Sequence, residues 1–151
     1  MTISFTGHSF IPSKAAVKEI VKEQIGIIAK DADCVTCYLG GYGDFDEICA
    51  TVCRELKEEY SIELVYVTPY INLSAQAKIK ENEKCRLYDL SIYPPIENVP
   101  PKLAILKRNE WMVTNADIVI AYVNRSYGGA YKSLLTARRK KKKIINVCTF
   151  L

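Results

Sequence analysis

Residues 38–46 read Tyr-Leu-Gly-Gly-Tyr-Gly-Asp-Phe-Asp, and what lies on either side of this stretch decides the fold. Upstream, residues 34–39 (CVTCYL) form a short apolar run of strand length. Downstream, Phe45, Ile48, Cys49, Val52, Cys53 and Leu56 recur at helical spacing to about Tyr60. A strand that passes into an amphipathic helix through three glycines is the repeating half-unit of a parallel α/β sheet.

The same pattern extends in both directions. Residues 2–6 alternate around Ile3 and Phe5, Gly7 and Pro12 break the alternation, and a helix is expected from about Ser13 to Lys30. Its apolar positions Val17, Ile20, Val21, Ile25 and Ile28 define one buried face. A third strand covers 62–68 (IELVYVT) and stops at Pro69. Residues 117–123 (DIVIAYV) are almost uniformly apolar, as a central strand covered on both faces requires. A helix to about Lys141 and a last strand, KIINVC, follow. Between 69 and 101 the pattern weakens, and the four prolines of its second half exclude a regular helix there, so an irregular insertion over the sheet is expected. Pro101 suits the first turn of a helix to about Asn115. Strands alternating with helices imply right-handed crossovers, and the expected fold is a Rossmann-like three-layer α/β/α sandwich in one domain over residues 1–151, with a mostly parallel sheet.

Composition agrees with a folded, soluble chain: 49% of residues are hydrophobic and 25% charged. There is no apolar stretch of membrane-spanning length and no secretory leader pattern, so a cytoplasmic location is expected. The six cysteines lie in apolar periodic segments and read as reduced thiols. Cys34 and Cys37 would point to opposite faces of a strand, and neither a metal nor a cofactor is expected. Arg138, Arg139 and Lys140 to Lys143 supply six positive charges, leaving the other residues a net −2 against a total of +4. This cluster falls at a helix end, where cations oppose the helix dipole, and that reading is preferred to a nucleic-acid surface.

Ligands of an open parallel sheet bind beyond the carboxyl ends of its strands. Three loops there carry candidate residues. The first holds Gly7, His8 and Ser9, with the single histidine of the chain as a contact candidate. The second holds Gly40, Gly41, Tyr42, Gly43 and Asp46, where glycines would let backbone N–H groups and the helix amino end face a phosphate. Asp44 and Glu47 have capping-box spacing and read as a helix cap. The third holds Arg125, Ser126, Gly128 and Gly129 ahead of Lys132. Arg108, Asn109 and Trp111 sit between the second and third loops in sequence, and Tyr88 lies in the insertion as a further base-stacking candidate. Trp111 reads more readily as core, and Arg108 also fits a solvated face. No Ser, His and Asp set has nucleophile-elbow spacing, and no glycine loop ends as a P-loop does.

In their order, residues 6–9 (TGHS), 38–46 (YLGGYGDFD), 87–101, 107–113 (KRNEWMV) and 121–132 resemble the SLOG superfamily, in particular its small single-domain bacterial and phage branch. The resemblance covers nearly the whole chain and implies a Rossmann-like nucleotide-binding fold. The superfamily includes the DNA-processing protein family, Lonely Guy phosphoribohydrolases, and antiphage sensor domains that bind cyclic ADP-ribose derivatives. In the Lonely Guy pattern Pro-Gly-Gly-x-Gly-Thr-x-x-Glu, matched from Gly128 and Gly129, Lys132 takes the threonine position and Leu135 that of the catalytic glutamate. The resemblance therefore implies binding of a small phosphorylated nucleotide derivative, of ADP-ribose type for example, without catalysis, by a homo-oligomer. The alternatives are an N-glycosidase using Asp44, Asp46 or Glu47 and, lowest, nucleic-acid binding through residues 138–143.

Overall fold

The computed structural model describes all residues, 1–151. Six strands form one sheet: β1 (Thr2–Gly7), β2 (Val35–Leu39), β3 (Ile62–Val67), β4 (Leu90–Ile92), β5 (Ile118–Tyr122) and β6 (Lys143–Asn146). Their order is β4-β3-β2-β1-β5-β6, and every pair is parallel. Five helices connect them: α1 (Lys14–Lys30), α2 (Gly43–Leu56), α3 (Leu73–Lys84), α4 (Ala104–Thr114) and α5 (Gly129–Arg139). This is the expected Rossmann-like α/β fold. No helix is long and apolar enough to cross a membrane.

The side-chain alternation of β5 shows how the layers are filled. All five of its residues are buried. Ile118, Ile120 and Tyr122 face the main core, with Val17, Val21 and Ile25 of α1 and Phe45, Val52 and Leu56 of α2. Val119 and Ala121 point to the other face, where Val113 of α4 and Leu134 and Ala137 of α5 cover them. A strand buried on both faces has no polar side to show, so β5 lacks the alternation that marks β1 in the sequence. Cys37, Cys49 and Cys53 belong to the main core, and all six cysteines are free. The Sγ atoms of Cys37 and Cys53 approach to 3.6 Å.

The segment 69–101 is more regular than its sequence suggests. Residues Leu73–Lys84 form α3, capped by Asn72, whose side chain accepts the Ala75 N–H at 2.9 Å. Residues Leu90–Ile92 add β4 to the sheet edge. The expectation of an irregular insertion thus fails for these two elements. α3 buries only Asn82 and has no apolar face to betray it, and a three-residue strand is too short for a period to register. The proline-bearing stretch after β4 is free of α-helix up to Pro101, where a short 3-10 turn (Pro101–Leu103) leads into α4.

The capping box at α2 does not form. The helix begins at Gly43, its N-cap is Tyr42, and no side chain caps it. Asp44 instead turns back to the loop after β1, accepting the Ile11 N–H at 2.9 Å and pairing with Lys14 at 3.5 Å. Glu47 is exposed on the outer face of α2.

Candidate functional site

Strand order reverses between β1 and β5, because β1 leads outward to β2 on one side while β5 and β6 follow on the other. Loops from these neighbouring strands diverge to opposite faces and leave a crevice. A cleft of about 240 Å³ lies there, lined by Gly7, His8 and Ser9 after β1, Gly40, Tyr42 and Asp46 around the start of α2, Arg108 and Asn109 of α4, and Arg125 and Gly129 after β5. Ten of the expected site residues thus converge.

Close backbone packing brings the first two loops together. A Cβ on Gly7 would fall 2.3 Å from Cγ of Phe45, so only glycine lets α2 approach the end of β1. Gly43, at φ +88°, has the same relation to Ser9, whose Cα would be 2.7 Å away. The Asp44 N–H donates to the Ser9 carbonyl at 2.8 Å in the same contact. Gly43 therefore serves packing between loops and does not line the cleft.

The N–H groups of residues 40–42 do not face open space either. They turn toward the Asp46 carboxylate, with the Tyr42 N–H at 3.3 Å. Burial pushes the Asp46 pKa up to about 6, against the opposing pull of these N–H groups and of Arg108. The protein's own carboxylate occupies the nest that the glycines form.

Arg108 is buried, 5% exposed, not solvated. Its Nη1 donates to the carbonyls of Val67 at 2.7 Å and Gly40 at 3.3 Å, and its Nε to Asn109 Oδ1 at 2.8 Å. Nη2 makes no hydrogen bond within the protein, and the side chain lines the cleft. Burial lowers the pKa of Arg108, and the charge of Asp46 opposes that shift. His8 is buried against Tyr122, ring centroids 5.8 Å apart, and its Nε2 accepts the Asn124 N–H at 3.1 Å. Burial and then the charge of Arg125 lower its pKa, and a nitrogen whose lone pair takes an N–H is held neutral. His8 thus ties the loop after β1 to the loop after β5 and offers the cleft a neutral ring.

At the far wall, α5 begins with Gly128, at φ +93°, as its N-cap. No side chain caps this helix and its first turn holds no acidic residue, so its first N–H groups and positive dipole end are open beside Arg125. The Arg125 guanidinium rests 4.7 Å over the Tyr127 ring centroid.

Other expected residues lie elsewhere. Gly41 lines a neighbouring cavity, and Gly43 and Tyr88 line a third one behind the loop. Trp111 packs on Tyr38, centroids 5.3 Å apart, beside Val65, Val67 and Met112. Ser126, Lys132, Leu135 and Glu47 are exposed and outside the cleft, and the half-buried Asp44 also lies outside it, so Asp46 alone of the candidate acids lines it. Phe5 and Thr6 of β1 and Ile105, Met112 and Ala130 of α4 and α5 complete the cleft, and neither strand nor apolar helix positions of this kind carry a sign of a ligand in the sequence. No three His, Cys, Asp or Glu side chains gather as a metal site would require.

Three solved structures share this architecture. DNA processing protein A from Streptococcus pneumoniae superposes with a TM-score of 0.65 at 14% identity, over 95% of this chain and 48% of that one. The chain shares the Rossmann-like α/β fold of these proteins. DNA processing protein A from Helicobacter pylori, described for its single-stranded DNA binding mode, matches with a TM-score of 0.59 at 16% identity, over 100% of this chain and 71% of that one. The molybdenum cofactor carrier protein of Chlamydomonas reinhardtii matches with 0.54 at 15% identity, over 95% and 73%. The chain spans about half the length of the Streptococcus protein. No family model and no curated protein matches the sequence.

Proposed function

We propose that the protein binds a small phosphorylated nucleotide derivative, one of ADP-ribose type among the candidates, in the cleft at the β1/β5 switch point. One observation carries this reading: two arginines and an uncapped helix amino end converge on one cleft beyond the carboxyl edge of the sheet. An anion placed there meets Arg125, the Nη2 of Arg108 and the free N–H groups at Gly129 and Ala130. The phosphate role thus passes from the first glycine loop, whose N–H groups Asp46 already holds, to the second.

Arg125→Ala tests it, because Arg125 is exposed and its removal strains no backbone. A ligand at about one hundred times its Kd stabilises the native state by about 2.7 kcal/mol, a melting shift of about 5 to 10 °C for a domain of this size. The variant should lose most of that shift with an unchanged melting point in the absence of ligand. A full shift in the variant would move the anion away from α5.

A catalytic variant of this reading rests on Asp46, a carboxyl that titrates near neutrality in the cleft. N-glycoside cleavage would use it as the acid, and release of free base from nucleoside monophosphates is the assay.

The likeness to the Helicobacter pylori protein favours a second reading, binding of single-stranded DNA. The basic residues 138–143 would not share the cleft for it. α5 runs from the carboxyl edge of the sheet to the amino edge, about 16 Å for its eleven residues, and leaves the cluster at the opposite end. Part of that cluster is also structurally engaged, since Lys142 Nζ donates to the Thr114 carbonyl at the end of α4 at 3.0 Å. Oligonucleotide affinity that falls steeply with salt and is lost on neutralising Arg138 to Lys141 would establish this surface.

A further inference from the structure

Beside the cleft, under the amino end of α3, lies a second cavity of about 500 Å³. The two share Gly40, Tyr42, Ile105 and Arg108 as a common wall. Their chemistry differs. Arginines, His8, Asn109 and Asp46 line the first, whereas Tyr66, Tyr70 and Tyr42 dominate the second, with Lys78 its one other cation besides the shared Arg108.

The tyrosines are held in place. Tyr66 is 5% exposed and its ring packs on Tyr88 with centroids 5.3 Å apart. The Lys78 ammonium lies 5.7 Å from the Tyr66 ring centroid and reaches the Gly41 carbonyl at 3.5 Å, spanning the mouth from α3 to the loop after β2. The Thr68 hydroxyl donates to the Tyr70 carbonyl at 3.0 Å and accepts the Tyr70 N–H at 3.3 Å, a closed turn that sets Tyr70 just past β3. Tyr42, in contrast, is 78% exposed on the rim common to both cavities.

A phosphate has little reason to sit here, because the Asn72 side chain already caps the neighbouring helix. Aromatic faces with a few hydroxyl and ammonium groups suit a flat heterocycle that stacks and hydrogen-bonds at its edge. We propose that this cavity is a nucleobase subsite. The ligand is then a nucleoside phosphate that crosses Arg108, with its phosphate at Arg125 and the start of α5 and its base among Tyr66, Tyr70 and Tyr42. This inference rests on the anion reading of the cleft and adds the chemistry of the remainder of the ligand.

Calorimetric titration of the intact protein with AMP and with ribose-5-phosphate separates the two claims. AMP should bind at least about ten-fold more tightly, the lower range of what stacking one base supplies. Tyr70→Ala should erase that advantage and leave ribose-5-phosphate affinity unchanged. Ala75→Phe, which fills the cavity from a half-exposed position on α3, should do the same without removing a buried group. Equal affinity for the two compounds, or an AMP advantage that survives both variants, overturns the subsite. In either case ribose-5-phosphate binding lost in Arg125→Ala leaves the anion reading standing. Binding of neither compound overturns both. Displacement of AMP by a short single-stranded oligonucleotide identifies the base as one carried on a strand, and failure to displace it identifies a free nucleotide.

Discussion

At the scale of single residues, the glycines that stand out in the sequence do two different jobs, and only contacts tell them apart. Gly7 and Gly43 admit neighbouring atoms: a Cβ at Gly7 meets the fully buried Phe45 ring, and one at Gly43 meets the Ser9 backbone at a positive φ. Gly7→Ala should therefore cost about 1 to 3 kcal/mol through overpacking, read as a lower denaturant midpoint at unchanged slope. Gly43→Val combines the same clash with left-handed strain and reports on folding before it reports on binding. Asp46 yields a prediction in pH. Folding raises its pKa to about 6, so the folded chain holds this proton more tightly than the unfolded one. The resulting stability is full below about pH 4 and lost as pH rises to about 6. Asp46→Asn removes that titration, so the stability difference should move in favour of the variant across this window. Urea melts of both proteins at several pH values measure it, and parallel curves would show that Asp46 titrates normally.

At the scale of elements, one aspartate reinforces the pairing of β4 with β3 at the edge of the sheet. Asp89 accepts the Leu64 N–H at 2.7 Å, donates its own N–H to the Leu64 carbonyl at 2.8 Å and pairs with Lys57. Asp89→Ala should cost about 1 to 2 kcal/mol and release β4 first, seen as faster amide exchange at residues 90–92 with the central strands unaffected. The expected ligand footprint shifts for a related reason. Tyr88 lies behind the loop after β2, whereas residues 69–78 border the tyrosine cavity. Exchange protection by a nucleoside phosphate should concentrate there and at 125–130, with little at 84–100; the reverse pattern would return the site to the proline-bearing stretch.

At the scale of the whole molecule, cleft and basic cluster occupy opposite edges of the sheet, so the two modes of binding are separable. Neutralising residues 138–141 should leave a nucleotide-induced melting shift intact, and Arg125→Ala should leave oligonucleotide binding through that cluster intact. A homo-oligomer is expected from the sequence resemblance, and light scattering decides it: a single species of 17.1 kDa at micromolar concentration rules it out.

The sequence by itself determined the alternation of strands and helices, the parallel sheet and the loops at its carboxyl edge, because periodicity and glycine placement are local properties of the chain. It could not separate residues that line a cleft from residues that border one. By spacing Gly41 and Gly43 form a phosphate loop, yet Asp46 takes up N–H groups of residues 40–42, and Arg108, which fits a solvated surface by sequence, is held by Val67 and Gly40. Tyr66, Tyr70 and Lys78 come from a strand, a turn and a helix, and no spacing links them. α3 was missed for a different reason, since a helix stabilised by its cap and solvated on nearly every side leaves no apolar stripe. What tertiary structure alone decided is which polar groups find partners inside the protein and which remain for a ligand, because that depends on distances between segments that the chain brings together only on folding.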